Sequence, residues 1–331
     1  NDLARIANAI QTVAAGGTPT PALSIADLTH AGLDTTSLTP DNLAVVIAAI
    51  AAQNNDGSAT DSLSELQLLL NSAVTNYTAA IDKIADYAET GVTAPSVQDY
   101  VDAGVTAVTA GNLAAINDAI NNQTGSDSIL GNANDREGAN TAAEVQAIVD
   151  AYNVILAEAN DTAATPGNGT ADSTSADPTA AQYAAIGAVL GASATDTENL
   201  SLLGDIVGAQ QTAGVDTVAE INNLARIVNA IQAVAAGGTP SPALTVADLI
   251  AIGIDTSNVT ADTLPALMAA IVTKADGGGE TDTLAKLQAI VDTAATNYAT
   301  AIDKIADYAE TGAIAPTIQD YLDAGVSDVT S

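Results

Sequence analysis

The sequence predicts an all-α fold, an elongated tandem array of three-helix bundles, and three observations support it. Residues 1–110 align with residues 222–331 without a gap, and "AIDKIADYAETG" occurs at both 80–91 and 301–312. A shorter pattern, (Leu/Tyr)-x-x-(Ala/Ile)-Gly, recurs several times inside that long period. Apolar residues recur at steps of three and four, the spacing of one helix face. Self-similarity at a fixed period indicates a repeat architecture.

The first helix of each module is short and is predicted to end at the glycine of that pattern. Glycine adopts the left-handed conformation that closes many helices without steric cost. The three intervals between Gly32 and Gly253 together equal the offset between the two copies, so three modules fill one long period. The five glycines are Gly32, Gly104, Gly187, Gly253 and Gly325.

The second and third helices follow from capping residues and periodicity. A second helix is predicted after each Thr or Asp that begins the stretches 39–52, 109–120, 195–207 and 260–272, because these side chains accept free backbone N–H groups. The third helix is the longest. In 63–89 its apolar stripe includes Leu66, Leu70, Tyr77 and Ile84.

These signals divide the chain into modules, and a Thr-, Ser-, Gly-, Pro- and Asp-rich stretch reads as a linker. Because the chain begins at Asn1 and ends in mid-pattern, it is expected to be an interior piece of a longer protein. The predicted parts are 1–17, the last helix of a preceding module; 18–91, module 1; 92–160, module 2; 161–178, the linker; 179–238, module 3; 239–312, module 4, the copy of module 1; and 313–331, the start of module 5.

The charge of the chain restricts its partners. Forty acidic residues stand against seven basic ones, a net charge of −33. Nucleic acids and anionic membrane surfaces need a positive face, so neither is an expected partner. No apolar run is long enough to insert into a membrane. Salt and calcium screen the repulsion between the acidic residues, so the charge suits a salt-rich or calcium-rich medium.

The sequence lacks the residues of common catalytic sites, and we expect no enzyme, no catalytic residue and no bound cofactor. There is no cysteine, and the single histidine, His30, aligns with Ala251 in the second copy. A function shared by both copies therefore cannot need a histidine, and zinc sites and Ser/His or Cys/His nucleophiles lack their parts. Most carboxylates are expected on solvated helix faces.

One stretch is a candidate calcium loop. In "ANDREGANTAAE" (133–144), Asp135, Glu137 and Glu144 occupy the third, fifth and twelfth positions of an EF-hand pattern, but Ala133 stands where the first ligand belongs. The favoured interpretation is a polar loop whose Glu144 lies in the first turn of a helix. Diffuse attraction of calcium by acidic loops such as 54–62 is expected instead of a specific site.

Four of the seven basic residues are retained between the copies, as the pairs Arg5/Arg226 and Lys83/Lys304. In so acidic a chain, an ion pair that orients adjacent helices is the favoured interpretation, with partner binding as the alternative. The retained tyrosines Tyr77/Tyr298 and Tyr87/Tyr308 are expected to fill the helix seam.

The stretch "DYVDAGVTAVTAGNLAAINDAI", followed by "AAEVQAIVDAYNVILAEA", resembles the GA-like three-helix modules arrayed in giant secreted RTX-type adhesins of Gram-negative bacteria. The likeness is carried by 103–105 at the end of the first helix and by 143–145 and 155–157 in the third. It implies export, a cell-surface or matrix location, and a role in adhesion or biofilm.

A more distant resemblance is to the albumin-binding GA module of other bacterial surface proteins. That activity uses aromatic and basic residues around the second helix, and this chain has Asn112, Leu113, Ala114 and Ala115 there. Albumin binding is therefore not carried over.

Two functions remain. The first is a structural spacer whose partners are neighbouring repeats of the same chain, with lateral association of like chains left open. The alternative is a binding module in which the helical units grip an extracellular host or matrix protein. A retained exposed apolar patch would favour the binding module, and uniformly acidic surfaces would favour the spacer.

Overall fold

The structure, a computed structural model, describes residues 2–53, 60–125, 138–159, 177–272, 274, 279–326 and 329. Across these ranges the regular structure is entirely helical, with no strand, and the predicted all-α class is confirmed. Three short 3-10 helices lie at Asn122–Gly125, Gly191–Ala194 and Thr212–Gly214. The α-helices are α1 Asp2–Ala14, α2 Ile25–His30, α3 Pro40–Ala51, α4 Leu63–Thr90, α5 Val97–Asp102, α6 Leu113–Asn121, α7 Ala142–Ala159, α8 Ala180–Ala185, α9 Thr197–Gly208, α10 Val218–Ala235, α11 Val246–Ala251, α12 Leu264–Val272, α13 Leu284–Thr311 and α14 Ile318–Asp323.

The chain forms two compact units, 1–150 and 151–331. In the first unit, α1, α3 and α4 pack around a core that includes Ile6, Leu28, Val46 and Leu70. In the second unit, α10 packs against α9 and α12, and α13 packs against α12 and α14. The module boundaries inside these units stay a prediction.

The long period of the sequence is visible in the helix bounds. Helices α2, α4 and α5 recur as α11, α13 and α14, and both ends of each helix fall at aligned positions of the two copies. The long pair, α4 and α13, has 28 residues each, or about 42 Å at 1.5 Å per residue. Aligned stretches of sequence therefore adopt the same local structure in both compact units.

Short helices need strong caps, because most of their N–H groups have no partner within the helix. Capping boxes supply them. In each box a Ser or Thr side chain accepts the N–H three residues on, whose own side chain accepts the N–H of the cap. The cap residues of such boxes include Ser24, Thr39, Ser62, Ser96, Thr179, Thr217, Thr245 and Thr317.

The five predicted glycine helix ends are confirmed. Gly32, Gly104, Gly187, Gly253 and Gly325 have φ of 99°, 74°, 80°, 88° and 77°. At the first of them, Gly32 N–H donates to Thr29 O and Leu33 N–H donates to Leu28 O, which satisfies the last carbonyls of α2. The long helices α4 and α13 also end at glycines with positive φ, Gly91 at 65° and Gly312 at 66°, and there the glycine N–H donates to the carbonyl four residues back.

Two second helices begin later than the sequence predicts. Helix α6 begins at Leu113, after a turn in which Asn112 Oδ1 accepts the Thr109 N–H. Helix α12 begins at Leu264, after Thr263 accepts the Thr260 N–H and donates to its carbonyl. The equivalent bond from the Thr39 N–H to Asn42 Oδ1 belongs to the capping box that starts α3 at Pro40, so this bond does not by itself delay a helix.

Candidate functional site

Ion pairs attach each copy's last short helix to the long helix before it. Lys83 on α4 donates to Asp99 Oδ2 on α5 at 2.6 Å. Lys304 on α13 donates to Asp320 Oδ2 on α14 at 2.5 Å. Both carboxylates are also the third-residue acceptors of capping boxes, so one carboxylate caps the helix and holds it to its neighbour.

Two retained arginines form equivalent ion pairs one predicted module earlier. Arg5 on α1 pairs with Asp27 on α2, and Arg226 on α10 pairs with Asp248 on α11. Asp27 and Asp248 belong to the capping boxes of Ser24 and Thr245. The expectation that retained basic residues form helix-orienting ion pairs is confirmed for all four.

The pKa of each of these carboxyls is lowered. For Asp27, hydrogen bonds from Ser24 and then Arg5 lower the pKa. For Asp320, the hydrogen bond from Lys304 and those from Thr317 lower the pKa to about 2. Burial raises the pKa of Asp99 and of Asp248, but hydrogen bonds from the paired cation and the cap residue outweigh it. All four are held in their charged form.

Module 3 lacks this ion pair. Its first helix, α8, has Gln182 at the third position of the capping box of Thr179. The helix that precedes it, α7, contains no Lys or Arg. The cation and its acidic partner are therefore both missing at this position. This is expected if the two residues are retained elsewhere because they pair with each other.

A glutamine clamp joins the third helix to the loop after the first helix. Gln67 Oε1 accepts Asp34 N–H at 2.7 Å, and its Nε2 donates to Asp34 O at 3.1 Å. Gln288 makes the same two bonds to Asp255, at 2.8 and 3.2 Å. One side chain thus satisfies both backbone groups of a single loop residue, which fixes the loop against the helix.

The clamp extends to the predicted modules 2 and 3. Gln146 bonds both backbone groups of Thr106 at 2.8 and 3.4 Å, and Asn222 Oδ1 accepts Val189 N–H at 2.6 Å. The sequence patterns described above did not predict a role for these residues. The available signal was an amide side chain at one fixed distance after the module glycine in modules 1, 3 and 4.

The buried tyrosines are also not those that the sequence indicated. Tyr77, Tyr87 and Tyr298 are half-buried and Tyr308 is 40% exposed, so the seam interpretation is wrong for Tyr308. The fully buried tyrosines are Tyr100, Tyr152 and Tyr183. Two of them find polar partners: Tyr100 Oη donates to Asn117 Oδ1 at 2.6 Å, and Tyr152 Oη donates to Val215 O at 3.0 Å.

The candidate calcium residues are only partly visible. Asp135 and Glu137 lie outside the described residues. Glu144 accepts the N–H groups of Asn140 and Thr141, both at 3.1 Å, and so caps α7. Within the described ranges, no group of three or more His, Asp or Glu side chains could hold a metal ion. His30 is exposed at the end of α2.

Two carboxylates in the second unit have raised pKa values. Burial raises the pKa of Asp177. Burial also raises that of Asp205, and the nearby Asp177 and Asp282 carboxylates add to the effect, although a hydrogen bond from the Leu284 N–H opposes it. Asp205 is thus a helix cap in a desolvated contact between α9 and α13.

Comparison of the chain with protein-family models, curated proteins and solved structures finds no match. Over the described part of the chain, no helix is both long and apolar enough to cross a membrane. The features of the structure that bear on function are therefore the recurring ion pairs and glutamine clamps. They hold a short helix and its loop against a long helix, with the same geometry in both copies.

Proposed function

We propose that the chain is a structural spacer, an elongated tandem array of three-helix modules that projects or assembles adhesive parts of a large secreted bacterial surface protein. Its principal partners are then the neighbouring repeats of its own chain. The resemblance to the modules of RTX-type adhesins supports this setting, as does the charge of −33, which favours solubility and suits a salt-rich medium that screens the repulsion.

The observation that supports the proposal most directly is that the ion pairs between successive helices occur in both copies. The retained ion pairs are Lys83–Asp99 with Lys304–Asp320, and Arg5–Asp27 with Arg226–Asp248. A ligand site would retain residues that face solvent. A spacer retains the residues that set one module's orientation on the next.

The exposed apolar side chains support the spacer over the binding module. Leu68 is 66% exposed and Val92 is 80% exposed, yet the second copy has Ala289 and Ala313 in their places. Ile250 is 59% exposed, and the first copy has Thr29 there. These three positions differ between the copies, whereas a shared binding face would keep them; Val101 and Leu322, at one aligned position, are exposed and apolar in both copies.

Layer thickness tests the spacer directly. Chains with zero, one or two added copies of the segment 1–221 would be attached to beads by one end, and the hydrodynamic radius of the beads measured. We expect equal increments for each added segment, because each segment adds the same length. Increments that vanish after the first addition would contradict the proposal.

The alternative, a protein-binding module, has its own assay. Serum albumin is the probe, passed over the immobilised chain in a surface plasmon resonance experiment. The spacer predicts no saturable binding at micromolar albumin, since Asn112–Ala115 offers neither an aromatic nor a basic side chain. Saturable binding that is lost on replacing Leu113 and Ala114 by Asp would favour the alternative.

A further inference from the structure

An apolar groove lies open on the first copy. It has a volume of about 490 Å³ and is lined by Leu3, Ile6 and Ile10 of α1 and by Leu63 and Leu66 of α4. Leu3 is 58% exposed and Leu63 is 52% exposed. We call this surface the Leu3–Leu63 groove. Two half-exposed leucines facing one cavity leave unfavourable apolar surface in water.

The second copy shows the same surface covered. Leu224 and Leu284, which correspond to Leu3 and Leu63, are only 4% and 3% exposed. Ile6 and Leu66, and the corresponding Ile227 and Leu287, are buried in both copies, so the difference lies at the two leucines on the rim of the groove. The chain itself therefore contains both an open and an occupied version of one docking surface.

The occupant in the second copy is α9 with the residues just after it. Asp205 Oδ2 accepts the Leu284 N–H at 3.0 Å, which caps the start of α13. Gln210 Nε2 donates to Ala251 O at 3.2 Å, and the Ala209 methyl lies against Gly253. The fully buried apolar residues of α9 are Leu202, Leu203, Ile206 and Val207.

At the C-terminal end of the long helix the difference is reversed: the first copy is covered and the second copy is exposed. In the first copy α6 packs on α4, and Ile84, Ala85 and Ala88 are buried. In the second copy the corresponding Ala306 and Ala309 are exposed. The start of the long helix is thus covered in the second copy, by α9, and the end of the long helix is covered in the first copy, by α6.

We propose that the Leu3–Leu63 groove is the docking site for a further copy of segment 177–221, joined to residue 1 as that segment is joined to residue 222. The occupant is a helix with the apolar face of α9 and a carboxylate that caps the Leu63 N–H. This inference rests on the proposed function, since it specifies how one repeat holds the next.

The side chains of the groove add a detail about fit. Ala7 and Ala31 stand where the second copy has Val228 and Ile252. The open groove is therefore deeper, and a copy of α9 leaves space at these two positions. Replacing both alanines by the second copy's residues fills that space, and we expect it to tighten docking.

The test uses a tandem chain in which residues 1–221 precede the full chain, so that the junction repeats the one between residues 221 and 222. The protein has no cysteine, so one introduced thiol reports alone. Leu3→Cys is placed in the inner copy or in the outer copy, and its reaction with a soluble disulfide reagent is timed. Leu63→Cys is a second reporter, and Thr29→Cys, at an exposed position, is the open reference.

We expect the inner thiol to react at least tenfold more slowly than the outer thiol, with an unchanged circular dichroism spectrum. Asp205→Ala in the segment before the inner groove should restore at least part of the rate, and Ala7→Val with Ala31→Ile should slow it further. Equal rates at the inner and outer sites for both reporters would overturn the proposal. So would concentration-dependent protection of the outer thiol, which would show docking by a separate chain.

Thiol reactivity and chain length together show which of the two proposals fails, the docking site or the spacer. If the tandem chain lengthens in proportion to its residues while the inner thiol stays reactive, the spacer stands and the docking proposal fails. If the tandem chain does not lengthen, the spacer itself fails.

Discussion

The ammonium nitrogen of Lys83 lies 2.6 Å from Asp99 Oδ2, and this pair recurs in the second copy as Lys304 and Asp320 at 2.5 Å. In each case the carboxylate accepts hydrogen bonds both from the cation and from its own cap residue. One acidic side chain therefore starts a six-residue helix and fixes it to a helix of 28 residues.

Asp99→Ala should destabilise the α4–α5 junction more than Asp99→Asn. The alanine removes both the capping-box hydrogen bond from the Ser96 N–H, worth about 0.5–1.5 kcal/mol, and the ion pair, worth about 0.2–1 kcal/mol at a surface. Asparagine keeps a cap acceptor and loses only the charge. Thermal melting of the two variants measures the difference, with Lys286→Met, which breaks the exposed Lys286–Asp282 pair, as the control. Equal melting temperatures for Ala and Asn would contradict the double role.

Gly91→Ala should cost more stability than Gly312→Ala. Both glycines have φ near 65°, and a left-handed alanine costs about 1–2 kcal/mol at either site. At Gly91 the added Cβ would also lie 2.7 Å from Asn121 Oδ1, whereas at Gly312 it meets open space. Amide hydrogen exchange at the ends of α4 and α13 reports each site separately. A larger effect at Gly312 would show that the contact with Asn121 is unimportant.

Gln67→Leu should loosen the loop that follows α2. It removes two hydrogen bonds to the Asp34 backbone, each worth about 0.5–1.5 kcal/mol. Gln67→Glu keeps the acceptor but places a charge against the Asp34 carbonyl, so it should also destabilise. The control is Gln98→Leu, because Gln98 bonds only Asp102 within its own helix. Exchange of the Asp34 amide should accelerate in both Gln67 variants and stay unchanged in the control.

Lys304→Met should raise the pKa of Asp320 from about 2 toward the ordinary value of 3.8. A lowered folded-state pKa stabilises the fold above the unfolded value, and that stabilisation is lost as the pH falls from about 4 to about 2. Carbon-detected NMR titration of the Asp320 carboxyl gives both values. A pKa that stays near 2 in the variant would assign the shift to the Thr317 cap alone.

Stability should rise with salt and further with millimolar calcium. The net charge is −33, and at physiological ionic strength the screening length is about 8 Å, so neighbouring carboxylates repel most at low salt. Melting curves against NaCl and CaCl₂ test this, with Asp135→Asn and Glu137→Gln combined as the comparison. We expect the double variant to keep most of the calcium response, and its loss would identify 133–144 as a specific site.

The repeat pattern predicted more of the fold than of the contacts. The glycine ends and the long third helix follow from local chemistry, because φ preference and helix periodicity act within a few residues. The starts of α6 and α12 were predicted a few residues too early, because Thr109 and Thr260 look in sequence like Thr39, after which α3 begins at once.

The ion pairs could be predicted as a class from the retained cations, but not their partners. Asp27 lies 22 residues from Arg5, and Asp99 lies 16 residues from Lys83, so the pairing depends on how helices pack. The burial of Leu224 against the exposure of Leu3 is likewise invisible in the sequence, because the two positions carry the same residue. Their difference comes from the neighbouring helix.

The most direct measurement of the central claim is small-angle X-ray scattering on the 331-residue chain and on the tandem chain in which a further copy of residues 1–221 precedes it. Compact proteins of these two lengths have radii of gyration of about 20 Å and about 24 Å, respectively. The spacer predicts a radius well above about 20 Å for the shorter chain and an increase of roughly two thirds for the longer one, in proportion to length. Values close to the compact pair would contradict the account.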